Sequence, residues 1–322
     1  MLVPIIMLIV GFVLLIKGGD WFVDGAAGIA RRFRLPEILI GATVVSIGTT
    51  LPEVMVSAGA AMQGSGSIAY GNAIGSIICN TALIAALTIA IKPGKADRKT
   101  MVVPVSFFFV AAVFYCAIAY IFGEFSLITG IILLTLFVIY MTTTVISMKK
   151  NPAENSEESH EEVAKGNILK DVALLVVGAV LIAFGADFLV DNAKIIAAEL
   201  GMSEKVIGLT IVALGTSLPE LVTAITSLVK GHGSLSLGNI IGANLFNLVL
   251  VSGAAITINP FEVPASSFVN GINSSLVIDI PIMFAVMLIL TVPTLIKQKL
   301  SRWQGISLLG IYAAFLTLQF II

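Results

Sequence analysis

Shifted along itself by 167 residues, the chain matches itself without a gap across residues 18–80 and 185–247, with 25 identities in 63 positions. GGDWFVDGA pairs with GADFLVDNA, IGATVVSIGTTLPE with IGLTIVALGTSLPE, and GNAIGSIICN with GNIIGANLFN. Two apolar stretches resemble one another easily through composition alone. The shared positions here include Asp, Glu, Asn, Pro and Gly, so composition does not explain them. The chain is built from two copies of one unit.

The solvent for these units follows from composition. Residues are 58% hydrophobic and 11% charged, against about 25% charged in ordinary soluble domains. Apolar runs near 2–25, 38–63, 67–91, 101–122, 125–148, 168–198, 205–230, 235–258, 271–296 and 303–322 are long enough to cross a bilayer. Met1 to Ile16 lacks a basic leader and a small-residue cleavage site, and reads as the first span rather than a signal peptide. The chain is expected to be an all-α polytopic membrane protein with ten transmembrane helices. Five spans separate equivalent points of the two copies, so the second must sit upside down relative to the first. Residues 1–148 form the first five-helix repeat, 149–167 an acidic linker, and 168–322 the second, inverted repeat. Inverted repeats are a hallmark of secondary transporters, which bind their cargo near the midplane where the halves meet.

Basic residues orient the bundle. Loops after odd-numbered spans hold 15 of the 18 Lys and Arg residues, and loops after even-numbered spans hold only Lys194 and Lys205, with Lys17 inside the first span. This predicts a multi-pass protein of the cell (plasma) membrane, with both termini outside and the linker cytoplasmic. Two cysteines, Cys79 and Cys116, exclude a disulfide framework or a four-cysteine zinc site. A net charge of −1 without a basic cluster argues against nucleic acid as a partner. No nucleophile–base pair or cofactor motif suggests an enzyme, and no protein partner is implied.

Two carboxylates lie deep in apolar helices, Glu53 in GTTLPE and Glu220 in GTSLPE. A charge at the bilayer centre costs at least ~2.5–3.5 kcal/mol, and no Lys, Arg or His sits at comparable depth to pair with either. Across the repeat axis the two face one another, and a cation between them relieves their repulsion. The neighbouring residues suit a hard cation, which takes oxygen ligands in irregular geometry. Pro52 and Pro219 are expected to loosen the helix around Gly48–Thr49 and Gly215–Thr216 and free main-chain carbonyls. Thr43, Ser46, Thr50, Glu53 and Ser57 follow the helical period as one polar stripe. Asn72, Ser76 and Asn80 form a second, and Thr210, Ser217, Glu220, Asn239 and Asn247 repeat the pattern more sparsely. Such stripes also serve as glue between helices.

GTTLPE…GNAIGSIICN and GTSLPE…GNIIGANLFN resemble the paired alpha repeats of the sodium/calcium exchanger family, prokaryotic branch, in the calcium/cation antiporter superfamily. The resemblance covers essentially the whole chain. It implies Na⁺-driven Ca²⁺ exchange by alternating access, with Ca²⁺ and Na⁺ as the transported ions and no cofactor. By position, Glu53 and Glu220 would hold Ca²⁺ with the carbonyls of Thr49 and Thr216. Na⁺ positions would use the Ser46 and Ala213 carbonyls with Thr50, Ser217 and Ser76, and Asn80 and Asn247 would complete the middle. Some relatives carry Ser at the position of Ala243, a lost hydroxyl that bears on Na⁺ stoichiometry. Asn247 replaces an Asp of other members and points to K⁺-independent exchange, and the three Na⁺ per Ca²⁺ that the resemblance implies would make the exchange electrogenic. The alternative is a Ca²⁺/H⁺ antiporter that loads protons on the same two glutamates.

Asp20 and Asp24, matched by Asp187 and Asp191, are expected to form interfacial ion pairs with Lys17 and Lys194. The run Glu154, Glu157, Glu158, Glu161 and Glu162 lacks calcium-loop spacing and reads as a solvated linker. His232 reads as a loop residue and His160 as part of the linker.

Overall fold

The computed structural model describes residues 2–33, 35–150, 168–200, 213–265, 268–269 and 271–321. The glutamates of the linker, His160, Lys205 and Thr210 lie outside the described residues. Helices α1 Leu2–Arg32, α2 Glu37–Met62, α3 Gly66–Ile91, α4 Arg98–Phe122, α5 Leu127–Lys150 and α6 Ile168–Glu199 are followed by a helical turn at Ala213–Thr216. Then come α7 Leu218–Val229, α8 Gly233–Ile258, α9 Ser275–Lys297 and α10 Arg302–Ile321. By length and composition, eight of these helices, α1 to α6, α8 and α9, are apolar enough to cross a membrane.

Helix ends follow local chemistry. Asp97 caps α4 by accepting from the Lys99 and Thr100 amides at 3.2 and 3.3 Å. The same helix stops at Gly123, whose φ of 71° suits a residue without a Cβ. The helices run close to the spans read from hydropathy, with two differences. α1 continues beyond residue 25 to Arg32, because Gly25, Ala26, Ala27 and Ala30 are buried. Residues 271–274 precede the last long apolar helix instead of starting it: strand β3 Phe268–Val269 pairs with β4 Ile272–Asn273, and α9 begins at Ser275.

Burial grades from the middle outward. In α8, 83% of the apolar window is enclosed, against 22% in α1 and α6. The latter two pack on each other backbone to backbone: a Cβ on Gly178 would lie 2.4 Å from the Phe22 amide nitrogen, and one on Gly25 2.5 Å from the Asp171 carbonyl. Elsewhere the outer surface is apolar, with Met55, Val110, Ile121, Ile128, Val229 and Ile296 all exposed, as lipid contact requires. The core around α3, α4, α8 and α9 is aromatic-rich, with Tyr115 stacked on Phe125 at 4.4 Å and Phe137 edge-on to Phe246 at 5.2 Å.

Each end of the bundle is tied by backbone pairing. Lys95 bridges to Lys299, and Ile38, Ala96, Met101, Leu237 and Ile241 cluster at that end. At a separate connection, β1 Glu124–Phe125 pairs antiparallel with β2 Phe261–Glu262. The loops carrying Lys95 and Lys299 were grouped on one side by charge alone, and they meet.

Candidate cation-binding site

Four helices build the centre, and each departs from regular α-geometry there. In α2 a π turn occupies Gly41–Val45, so the Ser46 amide reaches back to the Gly41 carbonyl. The Ser46 hydroxyl also donates to that carbonyl at 2.7 Å, and the Tyr140 hydroxyl of α5 donates to Ala42 O at 2.9 Å. The irregularity thus lies a turn earlier than Pro52 suggests, and α-helix runs unbroken through Ser46–Met62. The chain bends its hydrogen-bond ladder where Ser46 and Tyr140 supply replacement donors. In the second repeat the break falls where expected. Ser217 (φ −93°, ψ 8°) separates Ala213–Thr216 from α7, and Pro219 sits in the first turn, where its missing N–H costs no hydrogen bond.

The other two helices carry matched irregularities. π turns begin at Asn80 (Asn80–Ala85) in α3 and at Asn247 (Asn247–Val251) in α8, positions one repeat apart. Such turns are rare and frequently mark functional sites.

Within this frame Glu53 and Glu220 are fully buried and near enough for their charges to interact. None of their four carboxylate oxygens has a hydrogen-bond partner in the protein. The same holds for the hydroxyls of Thr50 and Ser217 and for both polar side-chain atoms of Asn80 and Asn247. Ser46, Thr49 and Ser76 are buried with them, and Ala213 and Thr216 occupy the turn just before the α7 break. Buried polar groups in folded proteins are nearly always paired, so a repeat-related set of unpaired oxygens marks a candidate ion site. Among the described residues no three His, Cys, Asp or Glu side chains gather, so the set is two carboxylates amid neutral oxygens, which suits hard cations over zinc or copper. A small, partly open recess bordered by Phe22, Thr49, Pro52, Ile182 and Pro219 lies between α1, α6 and this centre.

Two equivalent asparagines are deployed differently. Asn72 donates to the Glu53 carbonyl at 3.1 Å and to the Ser57 hydroxyl at 2.8 Å, bracing its own repeat. Asn239 instead accepts from the hydroxyls of Ser46 at 3.3 Å and Thr49 at 3.2 Å, across to the first repeat, and its amide nitrogen is unpaired. Thr43 belongs to the polar stripe but spends its hydroxyl on Leu39 O at 2.7 Å. Asn244 escaped notice because its repeat equivalent is Ile77; it donates to Thr81 at 2.7 Å in the core beside the site.

One reading of the flanking residues needs correction. Asp20 and Asp24 pair with Lys230, whose Nζ lies 3.4 Å from Asp20 Oδ1 and 2.8 Å from Asp24 Oδ1, not with Lys17. The α1 helix passes the end of α7, which brings a cation from 206 residues away closer than one a turn distant. His232 is the cap residue of α8, and its Nδ1 lies 2.7 Å from Glu37 Oε1.

Comparison with known proteins agrees with this architecture. The family model described as sodium/calcium exchanger protein matches residues 3–146 and 170–321. An uncharacterised membrane protein of Methanocaldococcus jannaschii is 36% identical over 313 residues, covering 94% of each chain. The sodium/calcium exchanger MaX1 of Methanosarcina acetivorans is 31% identical over 355 residues, covering 99% of each. Among solved structures, the sodium-calcium exchanger NCX_Mj soaked with Na⁺ and Sr²⁺ superposes with a TM-score of 0.79 at 34% identity, over 97% of both chains. Matched by that family model over most of its length and sharing its fold with a solved exchanger, the chain belongs to the sodium/calcium exchanger family, whose members carry ions rather than catalyse reactions.

Proposed function

We propose that the protein exchanges Na⁺ for Ca²⁺ across the plasma membrane by alternating access. The reading has ten transmembrane helices in two inverted repeats, 1–148 and 168–322, joined by a cytoplasmic linker at 149–167, with both termini outside. The observation that carries it is the set of buried oxygens without protein partners: Glu53, Glu220, Thr50, Ser217, Asn80 and Asn247. Two facing carboxylates in a low-dielectric core repel one another, and a divalent cation between them cancels both charges. Ca²⁺ takes 6–8 oxygens, which Thr49 and Thr216 carbonyls and the asparagine amides extend beyond the carboxylates. Na⁺ occupies the same region through the Ser46 and Ala213 carbonyls with Thr50, Ser217 and Ser76. One set of ligands that either ion can claim is the physical basis of exchange: the ions compete, and the occupied carrier turns. The names of its relatives as sodium/calcium exchangers support the choice of ions.

With Glu53 and Glu220 ionised the centre holds two negative charges. One Ca²⁺ neutralises it, and three Na⁺ leave one positive charge. The proposed cycle is therefore electrogenic, and Asn247 in place of an Asp makes it independent of K⁺. The test is ⁴⁵Ca²⁺ uptake into proteoliposomes under separately imposed outward Na⁺, K⁺ and H⁺ gradients. Uptake follows the Na⁺ gradient and is lost in Glu53→Gln and Glu220→Gln, which remain folded in detergent. Uptake driven by protons and not by Na⁺ would overturn the reading in favour of a Ca²⁺/H⁺ antiporter.

A further inference from the structure

Hydroxyls inside the helices of this protein have a habitual partner. Those of Thr81, Thr257, Thr291 and Thr294 donate to the carbonyl four residues back at 2.5–2.8 Å, the common solution for a hydroxyl in an apolar helix. Thr50 and Ser217 at the centre break this habit, as does Thr144 on α5, a helix that carries no ligand. Two further exceptions lie on α7. Thr223 and Ser227 are each fully buried, and neither hydroxyl has a hydrogen-bond partner.

Their placement is ordered. Thr223 and Ser227 follow Glu220 by three and seven residues, which puts all three on one face of α7. At 1.5 Å per residue the hydroxyls stand about 4.5 and 10.5 Å along the axis from the carboxylate. The line runs toward the end of α7 at Val229, next to Lys230 and His232. The first repeat has no such line, because the equivalents of Thr223 and Ser227 are Val56 and Ala60. Its own extra hydroxyl, Ser57, is occupied by Asn72.

We propose that Thr223 and Ser227 form a transient Na⁺ station between the central site and the end of the molecule that carries Lys230. This rests on the exchange reading above and adds a step to it. Two neutral hydroxyl oxygens without a carboxylate of their own suit a singly charged ion, whereas Ca²⁺ needs a fuller, charged shell. A helix face with nothing else to bond offers the ion replacement ligands as it sheds water. The lane serves one face of the membrane only.

The test measures apparent KM for Na⁺ at each face of oriented proteoliposomes, for wild type, Thr223→Val, Ser227→Ala and Thr223→Ser. Thr223→Val keeps the shape and removes the oxygen. The two hydroxyl-deleting variants raise the KM for Na⁺ about 3- to 10-fold at the Lys230 face and leave it unchanged at the other. Thr223→Ser, which keeps the oxygen, retains the wild-type value. Melting temperatures in Na⁺-free detergent stay level or rise, because an unpaired buried hydroxyl has been removed. Unchanged KM at both faces, or an equal rise at both, overturns the station while leaving exchange intact. Absence of Na⁺/Ca²⁺ exchange in the wild type overturns the exchange reading and the station together.

Discussion

Gly242→Ala probes the seam between α2 and α8 on which the site depends. A Cβ at Gly242 would lie 2.3 Å from Ser46 Oγ, 2.6 Å from Ala42 Cα and 2.8 Å from the Ala42 carbonyl. Ordinary contact begins at 3.4 Å, so the two helices must part by about 0.8 Å at the backbone contact alone. The Ser46 hydroxyl cannot simply turn away, since it is held by Gly41 O at 2.7 Å and Asn239 O at 3.0 Å. Overpacking of a tight interior costs about 1–3 kcal/mol. Separation also stretches the bonds from Ser46 and Thr49 to Asn239, already 3.2–3.3 Å long, at about 1 kcal/mol each. The total is about 3–5 kcal/mol, a fall in melting temperature on the order of 10 °C. Thermal unfolding in detergent reads the stability loss, and ⁴⁵Ca²⁺ exchange reads damage to the site. Gly310→Ala is the control: no described residue lies within 4 Å of its added Cβ, and alanine favours the helix by about 1 kcal/mol. Equal melting temperatures for the two variants would refute the argument that backbone contact at Gly242 sets the geometry of the centre.

Four other outcomes follow from the sequence and the structure. Tyr140→Phe removes the hydroxyl donor from the Ala42 carbonyl in the core and costs about 1–3 kcal/mol; an unchanged melting temperature would show that the π turn of α2 needs no support from α5. Shortening residues 154–162 leaves basal exchange intact, because that segment lies outside both matched repeats, and transport lost from a folded deletion variant would contradict this. In vesicles clamped with valinomycin, an inside-positive potential accelerates Na⁺-driven Ca²⁺ uptake, one charge per cycle being worth ~2.3 kcal/mol per 100 mV; no response to voltage would refute the three-sodium cycle, and Asn247→Asp, which adds a third carboxylate, slows turnover or changes ion selectivity.

Spans and candidate ligands were legible from the sequence because membrane helices advertise themselves by hydropathy and because two copies of one motif mark the same chemistry twice. The bounds of α2, α3, α4 and α8 match their apolar runs to within a few residues. Less was legible where the two copies diverge in use. Asn72 and Asn239 occupy one motif position, yet one braces its own carbonyl and the other reaches across to Thr49; a repeat argument treats them as the same. The partner of Asp24 was missed because helical spacing favours a neighbour such as Lys17, and Lys230 is near only after folding. Proline positions suggested loosened backbone, but its location in α2 was decided by Tyr140, a donor from a distant helix. Thr223 and Ser227 were visible at helical spacing from Glu220, and their unpaired state emerged only from the packed structure.

In the proposed alternating-access cycle of two inverted repeats, the ion pairs of Lys230 bear on the balance between the two orientations. Lys230 ties the end of α7 to Asp20 and Asp24 of α1, and its counterpart in the first repeat is Gln63, which has no charge with which to form the same tie. Two access states related by exchanging the repeats are then unequal in energy: one gains an ion pair that the other cannot. Lys230 retains 24% exposure and Asp24 51%, so the gain is modest, about 0–1 kcal/mol, which converts to a bias of up to roughly fivefold between resting populations. Partly exposed pairs weaken as salt rises. The bias therefore relaxes as ionic strength rises on the side where Lys230 meets water, and the resting mixture of the two orientations shifts with the medium before either transported ion has bound.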